Sequence, residues 1–287
     1  MNDWEYWRPN FEYQRTLYQN LDAFGWVGHI NFAYDLVSNI KPQTVVELGT
    51  HWGVSFFSFC QAAKDNNPLT RLYAVDTWRG EKHAGFYDEE VINKVKEIKE
   101  EYFPSLQIKL LRKTFDEARD GFEDQSIDLL HIDGLHTYEA VKHDYEHWLP
   151  KMTKTGIILF HDTSEKERGF GVYRFWEELS QRFEQGIELP HCHGLGILFL
   201  DKKMWLAHEP MKQIWPAYYA LWYESQLLAE ELVSATSSKE EAEDKVRLFE
   251  ENVRLAQEIG DTRRRINDLG AVLDAIGRSR SYRLLCL

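Results

Sequence analysis

Thr44-Val45-Val46-Glu47-Leu48-Gly49-Thr50-His51-Trp52-Gly53-Val54-Ser55 is the stretch on which the fold turns. Its first five residues are largely β-branched or apolar and read as a short strand, which Gly49 ends. From Gly53 to Asn66 the residues Phe56, Phe57, Cys60 and Ala63 share one helical face. A strand that runs through a tight turn into a helix opens a βαβ unit. A dinucleotide fingerprint would need glycines at 49, 51 and 54, but His51 and Val54 stand there, and no Gly-Lys-Ser/Thr follows. The turn therefore offers an acidic residue, a glycine to turn on, and a second glycine, Gly53, where the helix passes a ligand. That suits a cofactor without phosphates.

Outward from this turn, strands and helices alternate. Strands are expected at Arg71 to Val75, Leu106 to Leu111, Ile127 to Ile132 and Gly156 to Phe160. Between them lie helices inside Tyr87 to Tyr102, at Phe115 to Phe122 and at Thr137 to Leu149, with a further helix at Val172 to Phe183. The rhythm predicts an α/β fold, a doubly wound, seven-stranded, mostly parallel sheet that binds its ligand beyond the carboxyl ends of the strands. Ile187 to Pro190 and Gly196 to Leu200 are too close for a crossover helix and should form an antiparallel hairpin at one edge. Residues 1–42 read as an N-terminal helical cap, with one amphipathic helix from Val27 to Ile40 ended by Pro42. Residues 1–205 thus form one domain. Residues 206–287 form a C-terminal helical or coiled-coil segment in which Ala242, Val246, Phe249, Val253 and Ala256 recur at spacings of 4, 3, 4 and 3. Such a seam fits a helical hairpin or a short coiled coil with partners, a second copy of the chain in a homo-oligomer among them, or a tail packed along its own domain. Arg278, Arg280 and Arg283 with Tyr282, Leu284, Leu285 and Leu287 make a small basic, apolar tip of the kind that rests on a membrane surface.

Composition narrows the function classes. Of 287 residues, 43% are hydrophobic and 14% aromatic, which excludes a disordered chain. The formal net charge of −13 repels phosphate backbones, so nucleic acid is not the expected partner. Cys60, Cys192 and Cys286 are odd in number and scattered, which fits neither a disulfide framework nor a zinc ribbon. With no basic n-region at Met1 to Trp7 and no apolar run long enough to span a bilayer, a cytoplasmic protein without a transmembrane segment is expected, working at most beside the inner face of the membrane.

The expected strand ends carry the chemistry. Asp76 closes the second strand, where a carboxylate can accept both hydroxyls of a ribose. The fourth and fifth strands end in Asp133 and His161-Asp162; two carboxylates and an imidazole there form a hard-metal site, or alternatively only orient hydrogen bonds around the cofactor. His136, in the loop after the fourth strand, is the residue expected to remove a proton as a general base near neutral pH. The bland alternative makes it the cap of the helix that follows.

Val46-Glu47-Leu48-Gly49-Thr50, Val75-Asp76-Thr77-Trp78, Ile127 to Tyr138 and Leu159-Phe160-His161-Asp162-Thr163 together resemble the class I S-adenosylmethionine-dependent methyltransferases. More narrowly they are similar to the branch that includes the macrocin and mycinamicin sugar O-methyltransferases and the so-called cephalosporin hydroxylase proteins. The resemblance covers about residues 43–201. It implies S-adenosylmethionine as cofactor, with Glu47 and Gly49 at its methionine end, Asp76 on the ribose, and Trp78, Thr114 and Phe115 near the adenine. It also implies Mg²⁺ or another divalent cation on the counterparts of Asp133, His161 and Asp162, although an acidic residue is common where His161 stands. The activity implied is O-methylation of a small-molecule or glycan acceptor. Asp76-Thr77-Trp78-Arg79-Gly80 and His161-Asp162-Thr163 also look like methyltransferase proteins of bacterial surface-polysaccharide synthesis. A catalytically silent scaffold that organises glycan-assembly partners through its helical tail is the competing class, and an iron-dependent hydroxylase ranks below it.

Three further motifs carry weaker readings. His143-Asp144-Tyr145-Glu146-His147 matches a zinc-peptidase pattern but falls on a crossover helix, where a solvated face is expected. His191, Cys192 and His193 are expected in a turn or an acceptor pocket. Arg168-Gly169-Phe170-Gly171 reads as a flap over the crevice, or as an ordinary loop.

Overall fold

The computed structural model describes residues 4–17, 24–81 and 85–235. The chain divides into two units, Met1–Lys212 and Gln213–Leu287. In the first, seven strands form one sheet: β1 (Thr44–Leu48), β2 (Arg71–Asp76), β5 (Gln107–Arg112), β6 (Ile127–Ile132), β7 (Met152–His161), β8 (Gly186–Leu189) and β9 (Leu195–Phe199). Their order is β5-β2-β1-β6-β7-β9-β8, and β3 (Gly80–Glu81) pairs with β4 (Gly85–Phe86) in a separate ribbon. The first five strands of the sheet run parallel, while β9 is antiparallel to both β7 and β8. This is the doubly wound sheet with an edge hairpin that the sequence pattern predicts.

Side-chain alternation along β1 separates two layers. Val46 and Leu48, with Leu130 and Ile132 of β6, face a core completed by Val141, Tyr145 and Trp148 of α7 (Tyr138–Trp148) and by Phe175, Trp176 and Leu179 of α8 (Val172–Arg182). On the other side α3 (Ile30–Ile40) packs on α4 (Val54–Asn66). Phe57 of α4 stacks on Phe103, at the end of α5 (Glu89–Tyr102), with ring centroids 5.6 Å apart. Burying a Phe or Leu in such a core stabilises by about 1.5–3 kcal/mol.

Several boundaries differ from the sequence expectation. The helix expected from Val27 begins at Ile30, because Gly28 and His29 form a turn after the short α2 (Phe24–Val27). The helix expected over Phe115 to Phe122 ends at Arg119 as α6, and Phe122 turns inward to meet Trp148 at 5.3 Å. The short α1 (Gln14–Leu17) falls within the expected N-terminal cap, whereas the ribbon and α9 (Lys202–His208), which Asp201 caps by accepting from the Met204 amide at 2.7 Å, lie outside those expectations. In the second unit the described residues form α10 (Trp215–Ala235). The heptad positions from Ala242 onward and the basic tip lie outside the described residues. Among the described residues no helix is long and apolar enough to cross a membrane.

Candidate functional site

The order of strands reverses between β1 and β6, and their carboxyl ends part there to open a crevice. The turn after β1 crosses it closely. Gly49 has φ +93°, and a Cβ on it would lie 1.9 Å from the Asp133 carbonyl oxygen, so only glycine fits. Asp76, at the end of β2, ties this turn to the next: one carboxylate oxygen accepts from the His51 amide at 2.8 Å, the other from the Trp78 amide at 2.6 Å. Both amide-bearing residues are left-handed, with φ 49° and 50°. Burial raises the Asp76 pKa, and the two amides partly offset that. A carboxylate oxygen has capacity for more than one donor, so two amide bonds leave room for a ligand hydroxyl on each.

A cavity of about 840 Å³ lies over these strand ends. Among the residues expected to bind cofactor, Gly49, Thr50, Asp76, Thr114 and Phe115 line it; Asp133, His136, His161 and Asp162 form the other part of its wall. Its volume is within the roughly 300–1,000 Å³ of small-molecule and cofactor sites. Glu47, Gly53 and Trp78 are not among the lining residues. Glu47 lies on the α3–α4 side of β1, directly across from His131 in the register, and is fully buried with Oε2 2.8 Å from His131 Nδ1. Burial raises its pKa, with His131 opposing. Gly53 has φ +86°, and what crowds it is the Phe57 ring of its own helix, 2.7 Å from a would-be Cβ. Trp78 is buried, its indole N–H donating to the His51 carbonyl at 3.0 Å. Two residues without a sequence signal also line the wall: Tyr87, tilted against His51 with ring centroids 4.8 Å apart, and Phe86 of the ribbon.

Four ionisable groups meet opposite Asp76. His136 Nε2 lies 3.0 Å from Asp162 Oδ2 and 3.5 Å from Asp133 Oδ1, while His161 Nδ1 lies 3.3 Å and 3.5 Å from the same two oxygens. Burial by itself would lower the His136 pKa, but Asp133 and Asp162 outweigh it and raise it to about 9. Burial likewise opposes the charge on Asp133, yet His161 and then His136 hold it well below the usual carboxylate range. Asp162 is lowered in the same way. His161 is held well above its ordinary value by Asp162 and Asp133 against the cost of burial. Asp162 itself sits at φ 62°, a left-handed position that Asp tolerates better than most residues. The Gly25 carbonyl of the N-terminal cap lies 3.1 Å from His161 Nε2, and Trp26 lines the cavity beside it.

His136 is not the cap of α7; the Thr137 hydroxyl oxygen is, accepting from the Ala140 amide at 3.2 Å. Its ring stacks on Phe170 with centroids 4.5 Å apart, and its carbonyl accepts from the Gly171 amide at 2.8 Å. The Arg168–Gly171 segment therefore lies directly against the ionisable cluster. His193 also reaches the cavity, with Nδ1 2.9 Å from Glu165.

Asp133, His136 and Asp162 have ligand atoms that lie within 4.8 Å of one another. Two carboxylates and an imidazole at that spacing fit a divalent cation. His161 adds a feature common among metal-binding histidines, a second ring nitrogen at a backbone carbonyl.

The switch-point crevice thus has an acidic residue closing β2 and an ionisable cluster at the ends of β6 and β7, and comparison with known proteins shows what it is similar to. Residues 46–163 match a family described as "Methyltransferase domain", and the sheet has the strand order of the class I methyltransferase fold. The match runs from Val46 to Thr163 and so contains the Gly49 turn, Asp76 and the whole cluster. An uncharacterized protein of Sinorhizobium fredii, y4gI, is 44% identical over 209 residues, which are 70% of this chain; the chain spans 23% of that relative's length. A solved putative O-methyltransferase from Klebsiella pneumoniae shares the fold at 14% identity, with a TM-score of 0.50 over 68% of this chain and 91% of that one. TomG, an O-methyltransferase from Streptomyces achromogenes, matches at 12% identity and a TM-score of 0.49 over 68% of this chain and 92% of its own.

Proposed function

We propose that the 840 Å³ cavity binds S-adenosylmethionine and that the protein transfers the cofactor's methyl group to a hydroxyl of a sugar or glycan acceptor. The observation that carries this reading is that Asp76 and the Asp133–His136–Asp162 cluster open into one cavity of a methyltransferase domain. The bound cofactor would supply an electrophilic methyl carbon on a positive sulfur. Asp76 accepts the ribose hydroxyls, and Thr114 and Phe115 receive the adenine. Gly49 and Thr50 take the methionine end, without Glu47, which does not line the cavity and is engaged with His131. The acceptor oxygen bonds to the methyl carbon as the carbon–sulfur bond breaks, and the hydroxyl proton leaves as the new bond forms. His136 is the group that takes it.

Without a bound cation, Asp133 and Asp162 keep the proton on His136 up to about pH 9. Asp133, Asp162 and His161 would hold a divalent cation such as Mg²⁺, which would polarise the acceptor hydroxyl. The same positive charge lowers the proton affinity of His136, so the two arrangements favour each other. Alignment of the reactants in the crevice supplies the larger share of the acceleration, with Phe170 stacked on His136 shielding the cluster from water. A glycan acceptor follows from the likeness of Asp76 to Gly80 and His161 to Thr163 to polysaccharide-associated methyltransferases. A cytoplasmic location, beside the membrane where glycan precursors are assembled, accords with that acceptor, and the segment after residue 205 would bring the domain to a second copy or to an assembly partner.

Calorimetry with S-adenosylmethionine, followed by mass spectrometry of products from a panel of nucleotide sugars and glycan fragments, tests the reading. A cofactor isotherm and a 14-dalton gain on one acceptor are expected, the mass of a methylene. A chain that does not bind S-adenosylmethionine is a scaffold, and the reading fails.

A further inference from the structure

The zinc-peptidase pattern on α7 does not reach the cavity, yet its two histidines do converge. His143 and His147 stand one helical turn apart on the outer face, with side chains 45% and 48% exposed, while Asp144 between them is buried. Their ring centroids are 3.8 Å apart. His143 Nε2 lies 3.0 Å and His147 Nδ1 3.2 Å from the same oxygen, Oδ1 of Asp116. Asp116 comes from the first turn of α6, a separate element, so the sequence pattern alone does not contain the third member. All three ligand atoms lie within 4.8 Å of one another.

We propose that Asp116, His143 and His147 form a second metal site, on the flank of the domain, for a borderline transition-metal dication of which Zn²⁺ is the type. The donor set decides the class. Two imidazole nitrogens and one carboxylate oxygen favour Zn²⁺, Ni²⁺ or Cu²⁺ over Mg²⁺ and Ca²⁺, which prefer oxygen throughout. Three protein ligands leave a fourth position of a tetrahedron for water. Because the donors are half exposed, the ion enters from solvent without opening the core.

The site would join two elements that also meet behind the cavity. Phe115, next to Asp116, lines the cavity, and a Cβ on Gly134 would lie 2.4 Å from its ring. Gly134 belongs to the loop that carries Asp133 and His136. An ion bridging α6 to α7 therefore braces the wall between the adenine end of the cavity and the ionisable cluster. Its role is structural, and no step of the transfer passes through it.

The test is calorimetric titration of the full chain with Zn²⁺, for the natural sequence and for the double variant His143→Ala/His147→Ala, with melting temperature measured with and without Zn²⁺. Stoichiometry should fall by one Zn²⁺ per chain in the variant, whatever the cavity cluster binds, and part of the Zn²⁺-induced rise in melting temperature should vanish with it. Both histidines are exposed, so the variant's metal-free melting should stay cooperative. As a second variant, Asp116→Asn keeps both imidazoles and should weaken the same binding event without removing other sites. Equal stoichiometry in the natural sequence and the double variant, or no Zn²⁺ bound by the natural chain, overturns the proposal.

Discussion

The domain carries two clusters of the same residue types, and burial makes them different. Asp133, His136 and Asp162 have side chains 17%, 14% and 7% exposed, whereas Asp116, His143 and His147 are 60%, 45% and 48% exposed. In the inner cluster, charges held away from water act strongly on one another, so a histidine titrates near 9 and two carboxyls stay charged far below their usual range. In the outer cluster, solvent screens the same pairing; Asp116 is lowered, first by its hydrogen bond to His143, but remains a surface carboxylate. What makes an Asp–His cluster an instrument for moving protons is its place at the end of a buried sheet.

The largest effects should follow from the inner cluster. His136→Ala should lower turnover by about 10²–10⁴ with Mg²⁺ present. In chelator the natural protein's rate should climb with pH toward about 9, as the imidazole loses its proton, and Mg²⁺ should move that rise to lower pH. A pH–rate series on both proteins decides this, and an unchanged rate in His136→Ala would remove the histidine from the chemistry. Asp162→Asn suits the left-handed backbone but takes away half of the counter-charge, which for a buried pair costs about 3–5 kcal/mol of stability. Denaturant unfolding measures that cost, and the His136 resonance followed by NMR should titrate below 9. Asp76→Ala should weaken S-adenosylmethionine by about 2–4 kcal/mol, the value of a bidentate, charge-assisted contact to the ribose. Unchanged affinity in calorimetry would place the ribose elsewhere.

Between the two clusters lies Asp144, buried under the Gly134 loop, and it makes burial itself measurable. Burial raises its pKa from 3.8 to about 7. An acid whose folded pKa is raised binds its proton more tightly when folded, so its presence costs nothing below about pH 4 and destabilises progressively as pH rises to about 7. At 1.36 kcal/mol per unit the full cost is on the order of 4 kcal/mol. Asp144→Asn should be more stable than the natural protein at pH 8 and lose that advantage by pH 4. Parallel stability curves across that range would mean that water reaches the carboxylate.

Sequence alone makes the strand ends legible, because short, largely apolar runs that end at Gly49, Asp76, Asp133 and His161-Asp162 specify both the sheet and the rim of the cavity. It also brings Asp133, His161 and Asp162 together correctly, since adjacent parallel strands must end side by side. Glu47 shows the limit. Its place in the motif resembles a cofactor contact, but alternation along β1 turns it away from Val46 and Leu48 toward His131, and only the register of β1 on β6 reveals that partner. The raised pKa of His136 is equally invisible in sequence, since it arises from two carboxylates on different strands. Tyr87, Trp26 and Asp116 reach their clusters from separate elements, through contacts that no local pattern encodes.

The smallest effect belongs to the outer cluster and is the sharpest check on the comparison. Asp116→Asn removes the carboxylate that both exposed histidines face, so if composition decided energetics it should cost as much as Asp162→Asn. Exposure says otherwise: ion pairs in solvent contribute about 0–1 kcal/mol, since water solvates each partner nearly as well as the other does. Asn keeps an oxygen that can still accept from one ring, which trims the loss further. Urea unfolding in chelator should therefore separate the two variants by at least about 2 kcal/mol, with Asp116→Asn within about 1 kcal/mol of the natural protein. Equal losses would show that α6 and α7 are held together chiefly by this surface triad, and that the cavity wall formed by Phe115 and Gly134 depends on charges outside the sheet.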